Sequence, residues 1–120
     1  MATAYINGNR PSYARESVGT LTTAKSLTAA TYNTYPTSAD GYDAYSTAKR
    51  PEEAVIQVKA GAINWTIDGT APTATAGTDV GFIAQAGDFI TLGGYASISG
   101  FQCINAVASN GAKIEVVYFR

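Results

Sequence analysis

The chain of 120 residues has no histidine, one cysteine and one tryptophan, and only 14% of it is charged. Each shortage excludes something. Without histidine there is no side chain that titrates unperturbed near neutrality, so Ser-His and Cys-His pairs and the commonest metal ligand are absent. One cysteine closes no internal disulfide and cannot build a structural zinc site. Small exported domains often rely on such staples, so their lack favours synthesis in a reducing cytoplasm. The start, M-A-T-A-Y-I-N-G-N-R, lacks the charged head and apolar core of a signal peptide, and no apolar run is long enough for a transmembrane helix. A soluble protein with no membrane partner is expected. The net charge of −1 offers no whole-chain electrostatic reason to bind nucleic acid.

The groups that remain make poor chemistry. Glu52 and Glu53 are adjacent at a strand entrance and so point to opposite faces, which unsuits them for paired acid/base work. Asp68, Asp79 and Asp88 sit at strand ends, where aspartate is an ordinary turn former. D-G-T at Asp68–Thr70 lacks the spaced oxygen ligands of a calcium loop. Cys103, in F-Q-C-I-N-A-V, reads as a buried apolar side chain rather than a reactive thiol. Asn64-Trp65-Thr66 matches a glycosylation acceptor, but inside a strand the match reads as chance. The spaced tyrosines with Arg10 and Arg15 carry too little positive charge for single-stranded nucleic acid. No catalytic, cofactor or metal site is expected, and no enzyme.

What is present divides at Lys49-Arg50-Pro51. Residues 1–50 hold only Ile6, Val18, Leu21 and Leu27 as large aliphatics, yet six of the eight tyrosines. They carry Arg10, Arg15, Lys25, Lys49 and Arg50 against Glu16, Asp40 and Asp43, whereas residues 51–120 carry Lys59, Lys113 and Arg120 against six carboxylates. So little aliphatic surface cannot offset chain entropy, and a separate core is not expected there. Tyrosines give contact area at small entropic cost and keep a polar tip. Residues 1–50 therefore read as an extended tyrosine-rich arm, lying on its own β-core or on a neighbouring subunit. The candidate interface residues are Tyr5, Arg10, Tyr13, Arg15, Tyr32, Tyr35, Tyr42 and Tyr45.

Residues 51–120 read as short strands: 54–59, 62–68, 80–84, 88–92, 95–98, 100–107 and 112–119. Ile63, Trp65 and Ile67 alternate with Asn64, Thr66 and Asp68, giving an apolar inner face and a polar outer one. Ile114, Val116 and Tyr118 likewise face inward, and Phe101 joins them as core. Gln85-Ala86-Gly87 and Asn110-Gly111 carry hairpin signals. Turns every eight to twelve residues and no convincing helix predict an all-β fold, an antiparallel β-sandwich or jelly-roll-like barrel.

Three runs are similar to a recurring pattern in small virion proteins of tailed bacteriophages. They are A-V-I-Q-V-K-A-G-A-I-N-W-T-I-D-G-T-A-P-T-A-T-A-G, A-Q-A-G-D-F-I-T-L-G-G-Y-A-S-I-S-G-F-Q-C-I-N-A and G-A-K-I-E-V-V-Y-F-R. In that pattern a strand leads to D-G-T-x-P-T, A-G-D opens the next strand, and I-x-x-F-x-x-I-x-A precedes a last strand ending Y-x-R. The likeness spans about residues 54–120. It implies a β-sandwich without enzymatic activity in a phage particle, made in the host cytoplasm and residing in the virion. The implied role is a head decoration (cement) protein binding the major capsid protein or other virion proteins and copies of itself, with a trimer favoured. Deleting residues 2–50 is then expected to abolish attachment and leave a soluble β-domain. The alternative is a glycan-binding or adaptor module of a fibre or tail, with Trp65, Tyr42 or Tyr45 exposed as sugar platforms.

Overall fold

The computed structural model describes residues 12–33, 51–74, 79–107 and 110–119. Within them the chain forms β1 (Ser12–Val18), β2 (Lys25–Ser26), α1 (Ala29–Tyr32), β3 (Glu53–Ala60), β4 (Ala62–Thr66), β5 (Phe82–Gln85), β6 (Phe89–Gly93), α2 (Tyr95–Gly100), β7 (Gln102–Asn105) and β8 (Lys113–Phe119). The strands make two four-stranded antiparallel sheets, ordered β1-β8-β3-β6 and β2-β7-β4-β5. The molecule is thus an all-β sandwich.

The core comes from period-2 alternation. On β3, Ala54, Ile56 and Val58 are buried, while Val55 and Gln57 between them are half-buried. Ile114, Val116 and Tyr118 of β8 and Ile90 and Leu92 of β6 complete the first sheet's inner face. Ile63, Ala84 and Cys103 face them from the second sheet, with Ile98 and Phe101 in the same cluster. Each fully buried aliphatic or aromatic side chain contributes on the order of 1.5–3 kcal/mol.

Most connections switch sheets, which corrects two hairpin expectations. Gln85-Ala86-Gly87 joins β5 to β6, and Asn110-Gly111 leads into β8 from β7, but neither pair of strands is hydrogen-bonded. The same holds for β3 and β4, separated by Gly61 alone. One residue is too short a loop for a hairpin, so the strand bends around a corner into the other sheet. Gly61 takes φ +65°, and a Cβ there would lie 3.0 Å from the Ala112 backbone, so only glycine fits.

The segment 95–98, expected as a strand, is the start of helix α2. Tyr95 and Ile98 are three residues apart, a helical interval, and Ile98 is wholly buried. The helix ends at Gly100, where a Cβ would lie 2.4 Å from the Ile67 carbonyl oxygen.

Residues 12–33 belong to the sandwich. β1 pairs along β8, β2 pairs with β7, and Leu21, Leu27 and Tyr32 are buried in the common core. A division at residue 50 therefore does not mark where the sheets begin. The remainder of the proposed arm, residues 1–11 and 34–50, lies outside the described residues.

Candidate functional site

Of the expected interface residues, Tyr13, Arg15 and Tyr32 are described: Tyr13 meets Tyr32, while Arg15, also on the edge strand β1, pairs with Glu115 of β8. Tyr32 corrects the reading made of it, because it is core: its ring lies 5.5 Å from that of Tyr118 and meets Tyr95 edge-on at 6.0 Å. The Tyr13 hydroxyl donates to the Tyr32 carbonyl at 2.5 Å. A register shift between Ser12 and Ala14 interrupts β1 here. Glu16 accepts from the Tyr118 hydroxyl and from the Thr28 N–H, the latter at 3.0 Å. Burial, then the Glu16 carboxylate, pushes the Tyr118 phenol well above its ordinary pKa, and burial, then the neighbouring Tyr95, raises that of Tyr32. Arg15 pairs with Glu115 at 2.8 Å, and Ser17 donates to the same carboxylate at 2.6 Å. Arg15 and then Ser17 hold the Glu115 carboxyl below the ordinary value. Lys25 donates to the Gly19 carbonyl at 3.0 Å. The polar groups of the β1–β2 rim are spent on one another. Tyr5, Arg10, Tyr35, Tyr42 and Tyr45 lie outside the described residues.

The strand around Trp65 departs from simple alternation. Ile63 is buried, and Trp65 is half-buried with its ring stacked on Phe101 at 5.9 Å and tilted against Phe82 at 5.2 Å. Ile67, expected in the core, is 41% exposed. β4 ends at Thr66, and Asp68 then turns the chain by accepting from the Thr70 N–H at 3.0 Å, so the inward phase is lost. That hydrogen bond also lowers the Asp68 pKa.

The polar face of β4 is the larger correction, since Asn64 and Thr66 are buried rather than outward and wet. The loop that follows folds back over them. Asn64 Nδ2 donates to the Thr73 carbonyl at 2.8 Å, and Thr66 Oγ1 donates to the Thr70 carbonyl at 2.5 Å. From β7, Gln102 Nε2 donates to the Gly69 carbonyl at 2.9 Å. The Val80 N–H donates to Thr73 Oγ1, and Pro72 is buried. Three side chains of the second sheet's outer face therefore hold D-G-T-A-P-T by its carbonyls, satisfying backbone acceptors that a covered loop needs paired. Asn64 Oδ1 is left buried without a protein donor. The segment is a strap on the sheet.

The opposite rim, formed by β5 and β6, has a different surface. Phe82 is 66% exposed, Ile83 61% and Phe89 63%, and Val80 and Ile67 are 41% exposed each. Consecutive residues in a strand point to opposite faces, so Phe82 and Ile83 cannot both turn inward. Phe89 alternates with the buried Ile90 and lies on the outer face of the first sheet. Between Asp79 and Gly93 there is no cation. These residues were missing from the sequence-derived site. The signal was the Phe82-Ile83 pair in a strand of four.

Chemical groups are sparse. Among the described residues no three His, Cys, Asp or Glu side chains gather as a metal site, and no helix is long and apolar enough to cross a membrane. Cys103 is buried, and burial pushes its thiol up to about 12, which leaves almost no thiolate at neutral pH. Glu53 is buried and Glu52 exposed, so the pair does point apart. Comparisons of the chain with protein-family models, with curated proteins and with solved structures find no match.

Proposed function

We propose that this chain is a structural virion protein, a decoration (cement) protein that binds a phage head lattice and copies of itself. One observation carries the reading. The features shared with the phage pattern are used to build and strap a sandwich, leaving surface contact as the means of action. Asp68 makes the turn, Pro72 and Thr73 belong to the strap, Phe101 and Tyr118 fill the core, and the A-G-D run carries the chain between the two sheets. The large exposed apolar side chains Phe82, Ile83 and Phe89 lie on the edge strands β5 and β6, as suits a protein completed by partners.

The glycan-binding reading is less well supported. A sugar platform needs an open aromatic face, and both Phe82 and Phe101 lie against Trp65. Tyr42 and Tyr45 lie outside the described residues.

The test is to mix the purified chain with heads lacking it and measure co-sedimentation and the temperature at which heads rupture. Saturable binding with a raised rupture temperature is expected. No binding to any virion part, together with capture by a glycan surface, would overturn the proposal. Deletion of residues 2–50 is not a usable control, because it removes β1, Leu21, Leu27 and Tyr32 from the fold. Deletion of residues 2–11 leaves the described sandwich whole.

A further inference from the structure

We propose that the β5–β6 rim is a self-association surface, on which a second copy of this chain docks two-fold, rim against rim, with β5 beside β5. The inference deepens the structural reading above and rests on it for its setting, but it stands on three observations of its own.

The first is backbone. β5 ends its sheet, so the middle of the strand has one side without a ladder partner among the described residues. The strand's surroundings are settled locally: Gln85 N–H donates to Asp88 Oδ2 at 2.8 Å, and Val80 N–H donates to Thr73 Oγ1 at 3.0 Å. The groups left for a partner thus lie around Phe82–Ala84. An exposed strand edge flanked by apolar side chains is a template for another strand.

The second is area. A phenylalanine carries on the order of 150–250 Å². Phe82 and Phe89, each about two-thirds exposed, therefore present roughly 100–150 Å² apiece. Ile83 adds exposed area on the other face of β5, and the partly exposed Val80 precedes the strand. A two-fold contact along β5 would bring the Phe82 and Ile83 side chains of both copies together and supply part of the ~800 Å² each partner covers in a standard interface.

The third selects the occupant. The other end of the sandwich offers no matching surface, because β1 is interrupted by a bulge and Arg15, Glu16 and Lys25 are already engaged. An apolar strand edge finds its complement in itself, and a two-fold contact covers both copies at once. Asp79 and Asp88 flank β5, and the exposed Lys59 of β3 lies at the same corner, next to Val58, which is hydrogen-bonded to Gly87 and Asp88. Excluded salts such as sulfate strengthen the burial of apolar surface, so added sulfate is expected to strengthen the dimer.

Sedimentation velocity of the full chain over a concentration series tests this, with circular dichroism as the check on folding. The wild type is expected to move from one chain mass to two as concentration rises, and at lower concentration in added sulfate. A double variant, Phe82→Lys with Ile83→Lys, is expected to associate at least roughly 30-fold more weakly, as loss of a hot spot does; the milder Ile83→Thr is expected to fall between. A wild type monomeric at every concentration would overturn the proposal, with residues 1–11 of the same chain as one occupant that gives this result. So would a trimer, which needs two different surfaces in contact, or rim variants that associate like the wild type. Head binding is scored separately. A dimer that ignores heads removes the cement reading and keeps this inference, while a monomer that binds heads does the reverse.

Discussion

The β1–β2 rim and the β5–β6 rim close opposite sides of one sandwich and face the same physical problem, a strand whose outer edge has no ladder partner among the described residues. At β1 the edge is bulged, charged and self-paired: Arg15 and Ser17 reach Glu115, and Glu16 receives Tyr118 and Thr28. These are devices that keep a sheet from adding strands. At β5 the edge is short and carries Phe82 and Ile83 exposed on its two faces. The difference separates what the fold uses from what it leaves exposed. Tyrosines that read as contact residues in the sequence hold the first rim together, and residues that read as ordinary strand apolars form the contact surface.

The largest expected effect tests that assignment directly. Tyr118→Ala empties a fully buried aromatic site and is expected to destabilise the chain by about 3–5 kcal/mol in urea unfolding. Phe82→Ala, at the other rim, is expected to cost under about 1 kcal/mol when measured on the monomer. Equal losses would erase the contrast. Next comes Glu16→Ala, which strips an acceptor from the buried Tyr118 hydroxyl and from Thr28, with an expected cost of about 2 kcal/mol. Replacing Tyr118 by Phe in the same background should recover part of that loss, because the stranded hydroxyl is then gone.

The smallest effect is at the surface pair. Arg15 is well exposed, so Arg15→Ala is expected to cost less than about 1 kcal/mol, and less again in high salt. The Glu115 carboxyl is held low in the folded state by Arg15 and then Ser17. A lowered folded pKa gives stability that is present above the unfolded carboxylate value and fades as pH falls through the folded one. A titration of the unfolding midpoint below pH 5 should therefore show a shallower acid slope in Arg15→Ala than in the wild type.

Much of the sandwich was legible in the sequence because one-sided burial writes a period of two. Ile63, Ile114, Val116 and Tyr118 could be placed inward from that alone, and Phe101 with them. Three things were not legible. The turn signals at Gln85–Gly87 and Asn110-Gly111 mark a reversal of direction, but they do not say whether the next strand joins the same sheet or the other. Asn64 and Thr66 look like a wet face because alternation carries no information about a loop folding back over it, here through the Thr70 and Thr73 carbonyls. Tyr32 looks like an interface residue because local composition is poor in aliphatics, whereas its partners Tyr95 and Tyr118 lie more than sixty residues away in sequence. The candidate surface was missed for a related reason: Phe82 and Phe89 count as core in any composition, and only the strand order puts them on edges.

The division of labour between the rims can be read in one measurement on the unmodified chain, amide hydrogen exchange at a low and a high protein concentration. Raising the concentration is expected to slow exchange in Phe82–Ala84 while leaving Ala14–Ser17 unchanged. Protection gained at β1 instead, or no concentration dependence at either rim, would contradict the account.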